Sequence, residues 1–335
     1  MNTAESFSDP HVTIIVVPRE RFSCAAESLE SIYQHTTMPF SLVYVDGGSP
    51  ARVQRYLQTQ AREKGFHLLR TESYLSPNRA RTLGLLEARG EYVVFIDNDV
   101  IVSPRWLETL IECAEETGAA VVGPLTCQHK PVHERIHCAG GESGVEIKHE
   151  NGQSTRHIVE KIYSQGRSVA GLRADLKRQK TGLAEFHCML VRASILDETG
   201  PLDEQLLNTK EHVDFCMLVT QAGGSVWFEP ASVVTYVPGP PRDLGDLSFY
   251  MLRWSNEREL ASLKHLRDKW NLTEDKYFRH RYRNVGWRRK MTIVRPLSEK
   301  LTFGRGSKRL ENLLLLLDQR LNRRLTDPYS RRMSQ

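Results

Sequence analysis

Short unbroken apolar runs recur along the first 125 residues, the first four each followed by a stretch of helical length: VTIIVV at 12–17, SLVYVD at 41–46, FHLLR at 66–70, YVVFI at 92–96 and, closing the series, AAVVGPL at 119–125. Runs without polar alternation mark strands buried on both faces, which need helices packed above and below the sheet. Residues 22–34, Val53 to Lys64, Pro77 to Ala88 and Pro104 to Glu116 supply those helices, with Gly90 as a stop signal after the third. The series predicts an α/β architecture of parallel strands joined by right-handed crossovers.

The sharpest local feature is where the fourth run ends, in Asp97-Asn98-Asp99. Turn chemistry alone favours Asp and Asn there. The carboxyl edge of an open α/β sheet is also where ligands bind, so two acids at that edge are equally a site. Neighbouring strand ends carry comparable groups: Pro18-Arg19-Glu20 after the first and Asp46-Gly47-Gly48-Ser49 after the second. An acid at a strand end can hydrogen-bond a nucleobase or ribose, and glycine lets backbone approach a ligand closely. Neither a GxGxxG nor a Walker A pattern occurs, which disfavours dinucleotide and P-loop sites. Paired carboxylates would repel an anionic diphosphate unless a divalent cation with oxygen ligands stood between them.

Composition narrows the setting. A chain of 335 residues with 40% hydrophobic content can bury a large core. Its six cysteines, Cys24, Cys113, Cys127, Cys138, Cys188 and Cys216, show no CxxC spacing, which points to free thiols in a reducing compartment. The start MNTAESFSDPH has no basic segment followed by an apolar core, and no stretch reaches eighteen apolar residues, so a cytoplasmic location is expected. From residue 279 onward, sixteen Lys or Arg face four acids, a formal +12 in a chain whose total is +5. That asymmetry predicts a separate task for the tail.

The ordered set VTIIVVP, VYVDGGS, NRARTLGLLEARGEYVVFIDNDV and KEHVDFCMLVTQAGG resembles the family 2 glycosyltransferases of the GT-A fold over roughly residues 10–240. The resemblance implies a mostly parallel sheet sandwiched by helices and a nucleotide-diphospho-sugar donor, a UDP-sugar first among candidates. It implies a saccharide or lipid-linked acceptor and a DxD-bound Mn2+ or Mg2+. Carried onto this chain, it puts Asp46 on the base, Gly47 beside it, and Pro18 and Glu20 near base and ribose. Asp97 would serve the ribose or the metal, Asp99 would be the direct metal ligand, and Arg81 would face the diphosphate. Inversion at the anomeric carbon is a further implication.

Residues 208–224 read as an amphipathic helix closed by Gly223-Gly224, with Val213, Cys216, Met217 and Thr220 on one face. Glu211 and Asp214 in its first turn would complement the helix dipole without any chemistry. An inverting transfer needs a base for the acceptor hydroxyl, worth about 10²- to 10⁴-fold. The family places an acidic base at this helix start, in Glu-Asp followed two residues later by Asp. Here the sequence is Glu211-His212-Val213-Asp214, so His212 takes the usual Asp position. Glu211 is the favoured base, with Asp214 and His212 as alternates. The departure keeps a non-catalytic nucleotide-sugar-binding relative as the second reading.

Between Gln128 and Gly182 the chain shows no clear buried element and reads as a lid or binding loop. The spacing of His133, His137 and His149 fits no compact metal set. Glu185 and His187 are candidates for acceptor contacts, and the histidine ligand often found near the last strand is replaced by Tyr236. The expected organisation is a catalytic domain at 1–240, with a donor half at 10–125 and an acceptor half at 126–240. A helical, basic extension follows at 241–335. Phe249, Tyr250, Trp254 and Trp270 in that extension are expected to pack in a core. The basic tail reads equally as a solvated face or, interleaved with Trp287, Ile293 and Phe303, as a contact with an anionic membrane surface, which would give a peripheral location at the inner face. Nucleic acid is disfavoured because no recognised module accompanies the charge.

Overall fold

In the computed structural model, residues 11–150 and 152–333 are described; most of the N-terminal segment read for a leader lies outside them. The apolar runs become strands. In chain order the first half is β1 (Val12–Val17), α1 (Ala25–His35), β2 (Ser41–Gly47), α2 (Ala51–Lys64), β3 (His67–Thr71), α3 (Pro77–Leu85), β4 (Tyr92–Asp97), β5 (Val100–Val102), α4 (Trp106–Thr117) and β6 (Val121–Gln128). Next come β7 (Ile136–Cys138), β8 (Gly141–Glu150), β9 (Gln153–Ile162), β10 (Gln179–Thr181), β11 (Cys188–Arg192), α5 (Ser194–Thr199), α6 (Glu211–Gln221) and β12 (Val226–Tyr236). Helices α7 (Leu244–Arg253), α8 (Asn256–Lys269), α9 (Lys276–Arg283) and α10 (Trp287–Arg289) follow. A π-helical turn (Lys290–Val294), α11 (Arg295–Leu301) and α12 (Lys308–Met333) end the chain.

The main sheet runs β10-β12-β6-β11-β4-β1-β2-β3. Strands β4, β1, β2 and β3 are parallel, as the series predicts. The regular progression then breaks, because β11 inserts between β4 and β6 and is antiparallel to both. A strand buried on both faces has the same apolar pattern in either direction, so its sense leaves no mark in the sequence.

Side chains alternate across the sheet into two cores. Ile14, Val16, Tyr44, Val94 and Ile96 pack with Leu29, Trp106 and Leu110 from α1 and α4. Ile15, Val45, Val93, Phe95 and Val191 pack with Val213 and Phe215 of α6 and with Leu266, Trp270 and Phe278 of the extension. The extension therefore shares its core with the acceptor half, and Phe249, Tyr250 and Trp270 are buried as expected. Helix α3 lies close on β1: a Cβ at Gly84 would stand 2.3 Å from Ile15 Cγ2. Overpacking of that kind costs about 1–3 kcal/mol, which outweighs the ~0.5–1 kcal/mol that alanine gains over glycine within a helix.

The stretch from Gln128 to Gly182 corrects the expectation of an irregular loop. Strands β8 and β9 pair antiparallel over ten residues each, and β7 and β10 join the main sheet.

Candidate functional site

Strand order places the site. The chain leaves β1 toward β2 on one side, whereas β4 lies on the other, so the crevice between their carboxyl ends is a topological switch point. Val17 is in register with Asp97 there. Asn98 stitches the two loops together: its N–H donates to Val17 O at 2.9 Å, its Nδ2 to Arg21 O at 2.8 Å, and its Oδ1 accepts from Arg19 N at 3.1 Å. The middle residue of the acidic triplet is thus a structural clamp that fixes its two neighbours.

Those neighbours differ. Asp97 is fully occupied: Oδ1 lies 3.3 Å from Arg81, while Oδ2 lies 3.3 Å from Arg19 and 3.0 Å from His187 Nδ1. Asp99 is buried with neither carboxylate oxygen hydrogen-bonded. Burial, then the nearby charges of Glu20 and Asp97, push its pKa well above the usual carboxylate range. A buried acceptor pair with no donor is costly unless a cation meets it. Oxygen donors of this kind suit a hard divalent ion, and on that test Asp99 fits one.

Around this edge stands a cationic wall. Arg19, Arg81 and Arg253 line a cavity of about 70 Å³ together with Glu185, Glu211 and His212. Arg81 is 1% exposed and lies over the Phe186 ring. Arg253 Nη2 lies 3.4 Å from Glu211, and burial brings its pKa down to about 10. His212 Nε2 is buried without a hydrogen-bond partner, 4.0 Å from Glu185 Oε1, and burial holds the ring below the ordinary histidine range. Asp214 points elsewhere: it accepts from Lys269 at 2.8 Å and from Trp270 Nε1 at 2.8 Å and does not line this cavity. Its role in the structure is to tie α6 to α8.

Glu20, at 0% exposure, receives Trp254 Nε1 at 3.0 Å and Arg288 at 3.1 Å. Arg288 also reaches the Tyr236 hydroxyl and lies over the Tyr236 and Trp254 rings. Asp46 accepts from Ser49 N and Oγ, both at 2.9 Å, and is ion-paired with Arg70. Gly47 is where Pro18 approaches, since a Cβ there would meet Pro18 Cγ at 3.3 Å. Glu185 stands 3.0 Å from His137 Nε2, and His137 with Glu185 and His187 forms a compact His/Glu cluster, so His137 leaves the unconnected trio that its spacing suggested. Burial opposes the charge on Glu185, yet the facing His137, His187 and His212 hold its pKa well below the carboxylate range. His133 and His149 bond Thr235 and Ser154 instead.

Sequence reasoning missed Arg19, Arg253, Trp254 and Arg288 as members of this site. Arg19 carried a signal, lying between two residues already singled out. The other three come from the extension, and only tertiary packing brings them in.

Residues 13–200 match the family model described as glycosyl transferase family 2. The chain is 30% identical over 118 residues to the uncharacterized glycosyltransferase EpsJ of Bacillus subtilis (strain 168), a match covering 34% of this chain and 33% of that protein. It is 27% identical over 110 residues to a glucosyl-dolichyl phosphate glucuronosyltransferase of Haloferax volcanii, covering 33% of this chain and 35% of that one. Two Rickettsia relatives are spanned over only 16% and 18% of their lengths. Among solved structures, that of GalNAc-T7 with UDP, GalNAc and Mn2+ superposes with a TM-score of 0.51 at 16% identity, covering 80% of this chain and 56% of that one. The likeness shows the GT-A fold.

Proposed function

The chain belongs to glycosyl transferase family 2, and from that premise we propose that it moves a sugar from a nucleotide-diphospho-sugar to an acceptor hydroxyl, with inversion and with a divalent cation. The observation that carries the proposal is Asp99: a buried carboxylate with both oxygens unpartnered, at the switch point, within electrostatic reach of Arg19, which also lines the cavity with Arg81 and Arg253. Asp99 would hold the cation, and Asp97 would join it only by releasing one of its present partners. When bound, the cation would neutralise diphosphate charge as the bond to the sugar breaks.

The remaining work falls to side chains of this chain. Arg19, Arg81 and Arg253 supply fixed positive charge where a diphosphate leaving group gains negative charge, and such preorganised charge is worth most where water is excluded. Glu20 and Asp46, at the ends of β1 and β2, would hold ribose and base, with Pro18 and Gly47 shaping the wall between them. Glu211 at the cavity would take the acceptor proton, His212 being the alternate. A UDP-sugar with Mn2+ is supported by the ligands of the GalNAc-T7 structure.

Thermal-shift measurement with UDP- and GDP-sugars, with and without Mn2+ or Mg2+, tests this reading. Ligand at a hundred times its dissociation constant should stabilise the protein by about 2.7 kcal/mol. The shift should require the metal and disappear in Asp99→Asn. Equal stabilisation of that variant would refute the cation role of Asp99. A product retaining the donor's anomeric configuration by NMR would refute inversion.

A further inference from the structure

Helix α12 sits on the protein with its faces reversed. Asp318, Asn322 and Thr326, one turn apart, are buried. Asp318 receives Arg289 at 3.1 Å, and Asn322 Nδ2 donates to the Met251 carbonyl at 2.7 Å. Its leucines face solvent: Leu313, Leu316, Leu317 and Leu321 are 54%, 56%, 49% and 44% exposed. At roughly 100° per residue these four share a direction with Arg320 and Arg324, opposite Asn322.

The apolar surface continues beyond the helix. Leu297, Leu301 and Phe303 are exposed in and just after α11. A groove of about 720 Å³ between α12, the π-helical turn and α7 is lined by Met251, Val294, Leu314 and Leu317, and also by Arg320, Arg323 and Arg324. Among the described residues none of these three arginines is ion-paired. An apolar face of this extent, edged by unpaired cations, marks a docking surface.

Charge selects the occupant. In a two-fold dimer the same patch would meet itself, bringing two sets of Arg320, Arg323 and Arg324 into one interface. A bilayer of anionic phospholipid offers the complement: acyl chains for the leucines and headgroup phosphates for arginines that snorkel outward. No helix among the described residues is long and apolar enough to cross a membrane, so the contact is peripheral. We propose that this face docks on an anionic phospholipid surface, with α12 lying in the interface. The proposal is independent of the glycosyl-transfer reading.

Vesicle flotation of the full chain tests it, using phosphatidylcholine alone and phosphatidylcholine mixed with phosphatidylglycerol. The protein should float with the mixed vesicles, and binding should weaken at least about tenfold between low and physiological salt as the arginines are screened. Leu316→Asp with Leu321→Asp, and separately Arg320→Glu with Arg323→Glu and Arg324→Glu, should each weaken binding by about tenfold or more. All five positions are exposed, and unchanged circular dichroism and melting would show the variants folded. Absence of flotation, equal binding to both vesicle types, or binding untouched by the leucine changes would overturn the proposal. So would sedimentation velocity revealing a dimer that the leucine changes dissolve, with no vesicle binding.

Discussion

Glu211 and His212 are consecutive, yet they enter the cavity in different electrostatic company. Glu211 is 3.4 Å from a buried arginine, whereas His212 presents a nitrogen with no hydrogen-bond partner toward Glu185. Both can accept a proton. Glu211→Gln keeps the shape and removes the proposed base, so kcat should fall by about 10²- to 10⁴-fold while the donor KM and the metal-dependent nucleotide shift stay near wild type. His212→Asn should cost less than about tenfold. The reverse ranking would move the base to His212, and a Glu211→Gln variant of full activity would remove Glu211 from the chemistry. At this scale the acids were legible because a carboxylate at the end of a buried strand is conspicuous in sequence. The resemblance gives Asp99 the direct metal role and Asp97 the ribose or the metal, but only the placement of Arg19, Arg81 and His187 separates a saturated carboxylate from an orphaned one. Arg253, Trp254 and Arg288 left no local sign, since their part in the site depends on how the extension folds back over β1.

The β8–β9 hairpin shows the same limit for elements. Its sequence, GESGVEIKHE and QSTRHIVEKI, carries few large apolar residues, so neither the helical nor the buried-strand period stands out. The signal that could have found it is the dipeptide Asn151-Gly152 between the two runs, the chemistry of a two-residue hairpin turn. The hairpin matters because Glu160 on β9 receives both Lys210, at 2.6 and 2.5 Å, and the Tyr277 hydroxyl at 2.5 Å, locking β9 to the start of α6 and to α9. Burial opposes the charge on Glu160, but Lys210 and His212 outweigh it and bring its pKa from 4.5 down to about 2. A group depressed on folding stabilises the protein above its unfolded value and loses that contribution as pH falls toward its folded value. The contribution is of order 3 kcal/mol at neutral pH and should fade between about pH 4.5 and about pH 2. Urea unfolding should therefore show Glu160→Gln markedly less stable than wild type at neutral pH, with the gap narrowing through that window. A gap that stays constant down to pH 3 would show that Glu160 acts through packing rather than charge.

For the molecule as a whole, the question is whether the extension is an appendage or part of one cooperative unit. Leu266, Trp270 and Phe278 lie in the same core as Val213, Phe215 and Phe95, and Arg253, Trp254 and Arg288 meet the strand-end acids directly or frame the same cavity. Arg289 is the joint. At 1% exposure it bonds Asp318 of α12, the Trp254 carbonyl and Asn256 Oδ1, so α12, α10 and the α7–α8 junction converge on one guanidinium. Removing one partner of a buried pair typically costs about 3–5 kcal/mol, because the other charge is stranded, whereas replacing both with apolar groups of similar size is often close to neutral. Arg289→Met should accordingly destabilise the whole protein, and Asp318→Leu added to it should restore most of the loss. Because core and site are shared across the boundary near residue 240, calorimetry should give a single transition in wild type and in both variants, with calorimetric and van't Hoff enthalpies equal. Two transitions, with only the lower one moved by Arg289→Met, would mean that the extension unfolds apart from the sheet, and the strand-end acids would then have to hold the proposed nucleotide without the Trp254 and Arg288 that bond Glu20.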